Sequence, residues 1–275
     1  MSLRRQLTLF YVFLAVVTFL AGAFSLGRAA EKPDTKGTVV GRIMMKEGGP
    51  LEGGEIMFYS VVSGPPPTPE KYDRTPDYVR EIAPDGRFEA DLPAGKYYAS
   101  AVKRTSRQPI GPPQAGDLVW RGLDEKGNHN VYEVKAGERT DIGTIAGAAV
   151  LKAESITNRP VATAIEGIVV NMEGKPVSDA VVVAFLNPNV QSKPLFVSEK
   201  TGDDGKYVLR LTAGTYYLRV RNRFASGPPE PGQIVGYYGE GTPAAVTIKD
   251  GETLKGIDFK VILFPGRGPF SGSGR

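Results

Sequence analysis

The sequence predicts an all-β protein made of two tandem antiparallel β-sandwiches, and three observations predict it. The block Gly41…Pro50…Asp85-Gly86…Leu92-Pro93-Ala94-Gly95-Lys96-Tyr97-Tyr98 returns as Gly167…Pro176…Asp204-Gly205…Leu211-Thr212-Ala213-Gly214-Thr215-Tyr216-Tyr217. Alternating apolar and polar runs are bounded by Gly, Pro, Asn and Asp at intervals of roughly eight to twelve residues. Beyond residue 30 no long stretch carries a helical period.

The spacing of the repeat is informative in itself. Gly41 to Gly167 and Pro50 to Pro176 are each 126 positions apart. Asp85 to Asp204, Gly95 to Gly214 and Tyr97 to Tyr216 are each 119 apart, and Gly137 to Gly251 is 114. The first copy therefore carries extra residues in two places and is otherwise collinear with the second. One insertion is assigned to Gly64-Pro65-Pro66-Pro67-Thr68-Pro69, a stiff segment expected in a surface loop. A unit of about a hundred residues suits a whole small domain rather than one turn of a solenoid.

From the N-terminus, Arg4 and Arg5 precede an uncharged run from Leu7 to Phe24, and Ser25-Leu26-Gly27-Arg28-Ala29 places small residues before a cut after Ala29. Residues 1–30 thus read as a signal peptide. The alternative is an uncleaved membrane anchor, the only membrane contact foreseen. No Cys follows the apolar run, which excludes a lipoprotein anchor. The first domain is expected over residues 35–147, a connector over 148–161, the second domain over 162–263 and a disordered Gly/Ser/Pro tail over 264–275. The short connector predicts a semi-rigid tandem.

Within the first domain, Phe88, Ala90 and Leu92 share one face of a strand, and Asp85-Gly86 before them reads as a hairpin turn. In the second, Asp204-Gly205 stands before Tyr207, Leu209 and Leu211 in the same way. Tyr216, Leu218 and Val220 face inward, with Tyr217, Arg219 and Arg221 outward; Ile257, Phe259 and Val261 close the second core.

The second copy resembles the carboxypeptidase regulatory-like family. The resemblance is carried by Glu166-Gly167-Ile168-Val169-Val170, Gly174-Lys175-Pro176-Val177-Ser178-Asp179-Ala180-Val181-Val182, Thr201-Gly202-Asp203-Asp204-Gly205-Lys206-Tyr207 and Thr212-Ala213-Gly214-Thr215-Tyr216-Tyr217-Leu218. Tyr237-Tyr238-Gly239 and Val246-Thr247-Ile248-Lys249-Asp250-Gly251-Glu252 complete it. The first copy departs from the pattern where Gly53-Gly54 stands in place of Asp179-Ala180. The resemblance implies transthyretin-like sandwiches, about seven strands each, grouped also with starch-binding-like folds. It does not imply peptidase activity, because in carboxypeptidases this module is an appendage to a separate catalytic domain.

Composition removes several function classes. The chain has 34 basic and 30 acidic residues; Arg4, Arg5 and Arg28 leave with the signal segment and no acid does, so the remainder is close to neutral and gives no argument for nucleic acid. With no Cys and a single His, a structural zinc site and haem attachment are excluded. His129 lies in the polar stretch Lys126-Gly127-Asn128-His129-Asn130 and is expected in a solvent-exposed loop, without a nucleophile to serve. The acids Asp85, Asp203, Asp204 and Asp250 are explained as turn residues; two adjacent acids fall short of a calcium site. No catalytic residue, metal or cofactor is therefore expected, and the chain is read as a non-enzyme.

The binding signal that remains is aromatic and basic. Trp120 with Arg121, Tyr132 and the Tyr237-Tyr238 pair lie in equivalent regions of the repeats and are read as exposed aromatics, the alternative being that one Tyr of each pair fills the core and the other packs at a sheet edge. Arg219, Arg221 and Arg223 form an outward basic stripe, backed by Lys103, Arg104 and Arg107 in the first copy. Such residues suit a protein interface, or sugar rings stacked on aromatic faces. The expected function is an exported binding or scaffolding protein of the cell envelope, periplasmic or extracellular, whose partner is an envelope protein or assembly. The alternative is a carbohydrate-binding protein whose partner is a polysaccharide.

Overall fold

A computed structural model describes residues 35–105, 111–154, 163–189, 192–223 and 229–266. Residues 1–30, which the sequence reads as a signal peptide, connector residues 155–161, Arg107 and the tail from 267 onward lie outside the described residues.

The first repeat forms β1 (Lys36–Met45), β2 (Glu55–Ser60), β3 (Tyr78–Glu81), β4 (Arg87–Pro93), β5 (Gly95–Lys103), β6 (Leu118–Trp120), β7 (Tyr132–Val134) and β8 (Arg139–Val150). The second forms β9 (Ala164–Asn171), β10 (Val181–Phe185), β11 (Phe196–Val197), β12 (Lys206–Arg210), β13 (Gly214–Arg221), β14 (Ile234–Tyr237), β15 (Ala245–Ile248), β16 (Thr253–Leu254) and β17 (Phe259–Leu263). The strands are ordered β3-β2-β5-β6-β8-β1-β4 in the first repeat and β11-β10-β13-β14-β17-β9-β12 in the second. The same strand therefore occupies the same place in both, and β7 flanks β5 as β15 flanks β13. The protein is all-β. Its ladders are antiparallel except that β1 runs parallel to β8, and β9 parallel to β16 and β17.

The alternation in the sequence becomes the core. Phe88, Ala90 and Leu92 on β4 pack with Val39, Ile43, Phe58 and Tyr97. Tyr207, Leu209 and Leu211 pack with Ile165, Leu218, Val220 and Phe259. β10 departs from alternation because all five of its residues are buried, so its continuous apolar run covers both faces of the sheet.

Both Asp-Gly steps are turns, with Gly86 at φ 86° and Gly205 at φ 69°. They are not hairpins, however. β4 pairs with β1 and β12 with β9, whereas β3 and β11 pair with β2 and β10, so each turn carries the chain between opposite ends of the strand order. What holds the corner is a carbonyl: Ile43 N–H donates to Gly86 O at 2.9 Å, and Val169 N–H donates to Gly205 O at 2.9 Å. A Cβ on Gly86 would lie 2.6 Å from Ile43 O, and one on Gly205 2.5 Å from Val169 O. The glycines are thus needed for close approach as well as for φ.

The insertion in the first repeat is not a free surface loop. Residues 73–75 lie along β11, the edge strand of the second repeat, with an antiparallel bridge between Arg74 and Phe196. Thr75 N–H donates to Leu195 O and Val197 N–H donates to Asp73 O, both at 3.0 Å. Tyr72 enters the core of the second repeat beside Leu195, Phe196 and Tyr216. The segment therefore acts as a latch that covers an edge which would otherwise offer unpaired backbone groups. The two repeats belong to one compact unit.

Candidate functional site

The latch is held from beneath by Arg74, whose side chain is 0% exposed. Its Nη2 donates to Ser60 O at 2.7 Å and to Asp77 Oδ2 at 3.1 Å. Its Nη1 donates to Gly64 O at 3.1 Å and to Pro65 O. Proline carbonyls accept readily here, because the ring leaves C=O groups free while removing the N–H that might pair with them. Burial lowers the guanidinium's pKa, and the Asp77 carboxylate opposes that shift.

Where the latch stands off the β2–β5–β6 sheet it leaves a cavity of about 440 Å³, a size that accommodates a small organic molecule. Its floor includes Tyr59, Ser100 and Trp120, and its wall the latch residues Tyr72, Asp73 and Arg74. Pro112 and Pro113 close one side and Pro194 another. The phenol of Tyr59 lies 3.1 Å from Ser100 Oγ; burial pushes its pKa up to about 12, against the pull of that hydrogen bond, so it is neutral at ordinary pH. The Arg74 guanidinium sits 5.5 Å from the centre of the Tyr59 ring.

The rim is charged. Arg121 pairs with Glu70. Arg104 donates to Gly111 O at 2.8 Å, and Lys193 donates to Asp77 O at 2.5 Å with its ammonium 4.6 Å from the Tyr78 ring centre. Two of these rim cations are thus held by carbonyls rather than by carboxylates.

Of the contact residues read from the sequence, Trp120, Arg121 and Arg104 line this cavity. Trp120 is not an exposed platform: it is 7% exposed and belongs to the first core, because β6 pairs beside Ala101 and turns the indole inward. Tyr132 packs part-buried against the same core, and burial raises its pKa. In the second repeat Tyr238 packs against Phe259, ring centres 6.2 Å apart, while Tyr237 stays 41% exposed and donates its hydroxyl to Gly241 O at 2.9 Å.

The outward basic stripe also needs correction. Arg219 is 3% exposed, its guanidinium 4.6 Å from the Phe185 ring centre and bonded to Pro188 O. The outer face of β10 is itself covered, so an outward position on β13 is not a solvated one. Arg221 is half-buried and bonds Val220 O at 3.1 Å; burial and then the neighbouring Arg219 charge lower its pKa. His129 is half-buried rather than exposed, its ring centre 5.7 Å from that of Tyr98. Among the described residues no group of three or more His, Asp or Glu is placed to hold a metal ion.

Sequence reasoning missed Arg74, Tyr72, Tyr59 and Lys193. The drop in repeat offset from 126 to 119 places extra residues between Pro50 and Asp85, and Tyr72, three residues past the assigned Gly64–Pro69 segment, is a large apolar side chain beside an expected surface loop. That mismatch was the available signal.

No protein-family model and no curated protein matches this chain. Among solved structures it is similar to the Bacillus anthracis TIE protein, at 19% identity over 82% of this chain and 34% of that one, with a TM-score of 0.26. It is also similar to a streptococcal ancillary pilin, at 16% identity over 84% of this chain and 63% of that one, TM-score 0.25. A DUF3823 family protein from Bacteroides uniformis is 10% identical over 84% of this chain and 100% of its own, TM-score 0.27. The chain thus spans 34% and 63% of the length of the first two. The β-sandwich assignment rests on the ladders and cores described above.

Proposed function

We propose that this chain is an exported, non-catalytic binding or scaffolding protein of the cell envelope, built from two carboxypeptidase regulatory-like domains, residues 35–147 and 162–263, behind a signal peptide. The observation that carries the reading is the latch. Thr75 and Val197 join the repeats by backbone hydrogen bonds, and Tyr72 buries its ring across the junction. Two small sandwiches tied in this way present their outer surfaces in one fixed relation, which suits a module that spaces or clamps partners. Export is supported by the apolar run from Leu7 to Phe24 after Arg4 and Arg5.

The carbohydrate alternative rests on exposed aromatic faces; Trp120 is buried and Tyr238 packs on Phe259, which leaves Tyr237 as its exposed ring.

The test is cross-linking in the native host, affinity recovery of the chain, and analysis of the eluate for protein and glycan. A single envelope protein recovered in stoichiometric amount supports the reading. Polysaccharide without a protein partner overturns it. N-terminal sequencing of the recovered chain checks the signal peptide, with a new terminus expected after Ala29.

A further inference from the structure

We infer that the cavity beneath the latch is a binding site for a small amphipathic organic anion, an apolar body carrying a single carboxylate. This goes beyond the envelope-partner reading and does not depend on it. Three observations converge on one pocket. Its volume of about 440 Å³ is that of a small-molecule site, and it lies where two sandwiches meet, a favoured position for such sites. Its floor and walls are aromatic and proline surface, supplied by Tyr59, Tyr72, Pro112 and Pro113 among others, which takes an apolar body.

The third observation concerns charge. Arg74 lines the cavity with a buried Nε–H that has no hydrogen-bond partner among the described residues. A buried donor on a charged group without an acceptor is costly, and an anionic oxygen is the acceptor that relieves it best. Arg104 and Lys193 at the same cavity are held by carbonyl oxygens and an aromatic ring, with no carboxylate bonded to either among the described residues. Three acids also line the cavity, Glu55, Glu70 and Asp73, and Glu70 is already paired with Arg121. The lining therefore joins an apolar enclosure to four cations, Arg74, Arg104, Arg121 and Lys193, which outnumber those acids.

The chain's one tryptophan turns its indole to the core face of the sheet that floors the cavity, so occupancy is read by calorimetry. The probe pair is 4-phenylbutyrate and its neutral analogue 4-phenyl-1-butanol, each titrated against the purified chain in an isothermal calorimeter. The expected result is a saturable change with one equivalent of the acid, about tenfold or more tighter than the alcohol. Arg104→Gln with Lys193→Gln should narrow that preference severalfold, with Arg74 retained, and Tyr237→Ala, outside the cavity lining, should leave it intact. If the double variant melts early, the same quantity is read on the unaltered chain, where added salt should narrow the preference. Equal binding of acid and alcohol overturns the inference, as does the absence of saturable heat at millimolar acid.

Discussion

Tyr72, from the first repeat, packs edge-on against Phe196 of the second, with ring centres 5.2 Å apart and planes at 71°. Its hydroxyl reaches back to Pro66 O at 3.0 Å, inside its own inserted segment. One side chain thus braces the latch internally and fastens it to the neighbouring core. Removing the ring in Tyr72→Ala should cost about 3 kcal/mol or more. It should also uncouple the repeats, so that denaturant melts followed by Trp120 emission and by circular dichroism, coincident in the parent chain, separate in the variant. Tyr72→Phe removes only the hydrogen bond and should cost about 1 kcal/mol with the transitions still coincident.

Gly86→Ala and Gly205→Ala should be equally harmful, because the two glycines do the same task in the two repeats. Each combines positive φ with a Cβ position 2.6 or 2.5 Å from a carbonyl oxygen that the core cannot move. A left-handed alanine alone costs about 1–2 kcal/mol, and the overlap adds to that. Gly174→Ala is the control, since its φ is 79° but nothing lies within 4 Å of the added carbon. Chemical denaturation should show a clearly larger loss for the first two than for the third.

Stability should fall as the solution is acidified from pH 7.5 to pH 5, through the single histidine. Burial lowers the His129 pKa in the folded chain below its ordinary 6.5, with Glu70 opposing the shift. The unfolded chain therefore takes up the proton first as pH falls. The contribution is fully present above the unfolded value, is lost as pH drops through it, and levels off below the folded pKa. Thermal melts across this range should show the slope, and His129→Gln should flatten it.

Arg219→Met should change stability by no more than about 1 kcal/mol, since the variant keeps the packing on Phe185 and removes a buried guanidinium nitrogen that has no partner among the described residues. The same variant should bind any recovered envelope partner as the parent does, because Arg219 is 3% exposed. Pull-down with the variant beside a melt checks both statements.

The strands and their inward faces were legible in the sequence because a sheet's side chains alternate strictly, so Phe88, Ala90 and Leu92 declare one buried face and Tyr207, Leu209 and Leu211 another. The candidate site was less so. Trp120 was recognised as informative but assigned to the surface, since sequence shows that a residue is large and apolar without showing which strand will lie across it. Arg219 was assigned outward by the same alternation, correctly for its own sheet, yet that face is covered. Periodicity reports which way a side chain points and not what it meets.

By itself the sequence determined that there are two copies of one all-β unit, where each core lies, and which glycines turn its corners. These are local or periodic properties, set by backbone stereochemistry and by the spacing of apolar residues along one strand. Tertiary structure alone decided that residues 73–75, just past the proline-rich segment, form a latch across β11 and that the Arg74 side chain is buried there, bonded to the Ser60 and Gly64 carbonyls and to the Asp77 carboxylate. It alone decided that a cavity remains between latch and sheet. Those outcomes depend on contacts such as Thr75 with Pro194, which lie 119 residues apart in the chain and meet only when both sandwiches have formed.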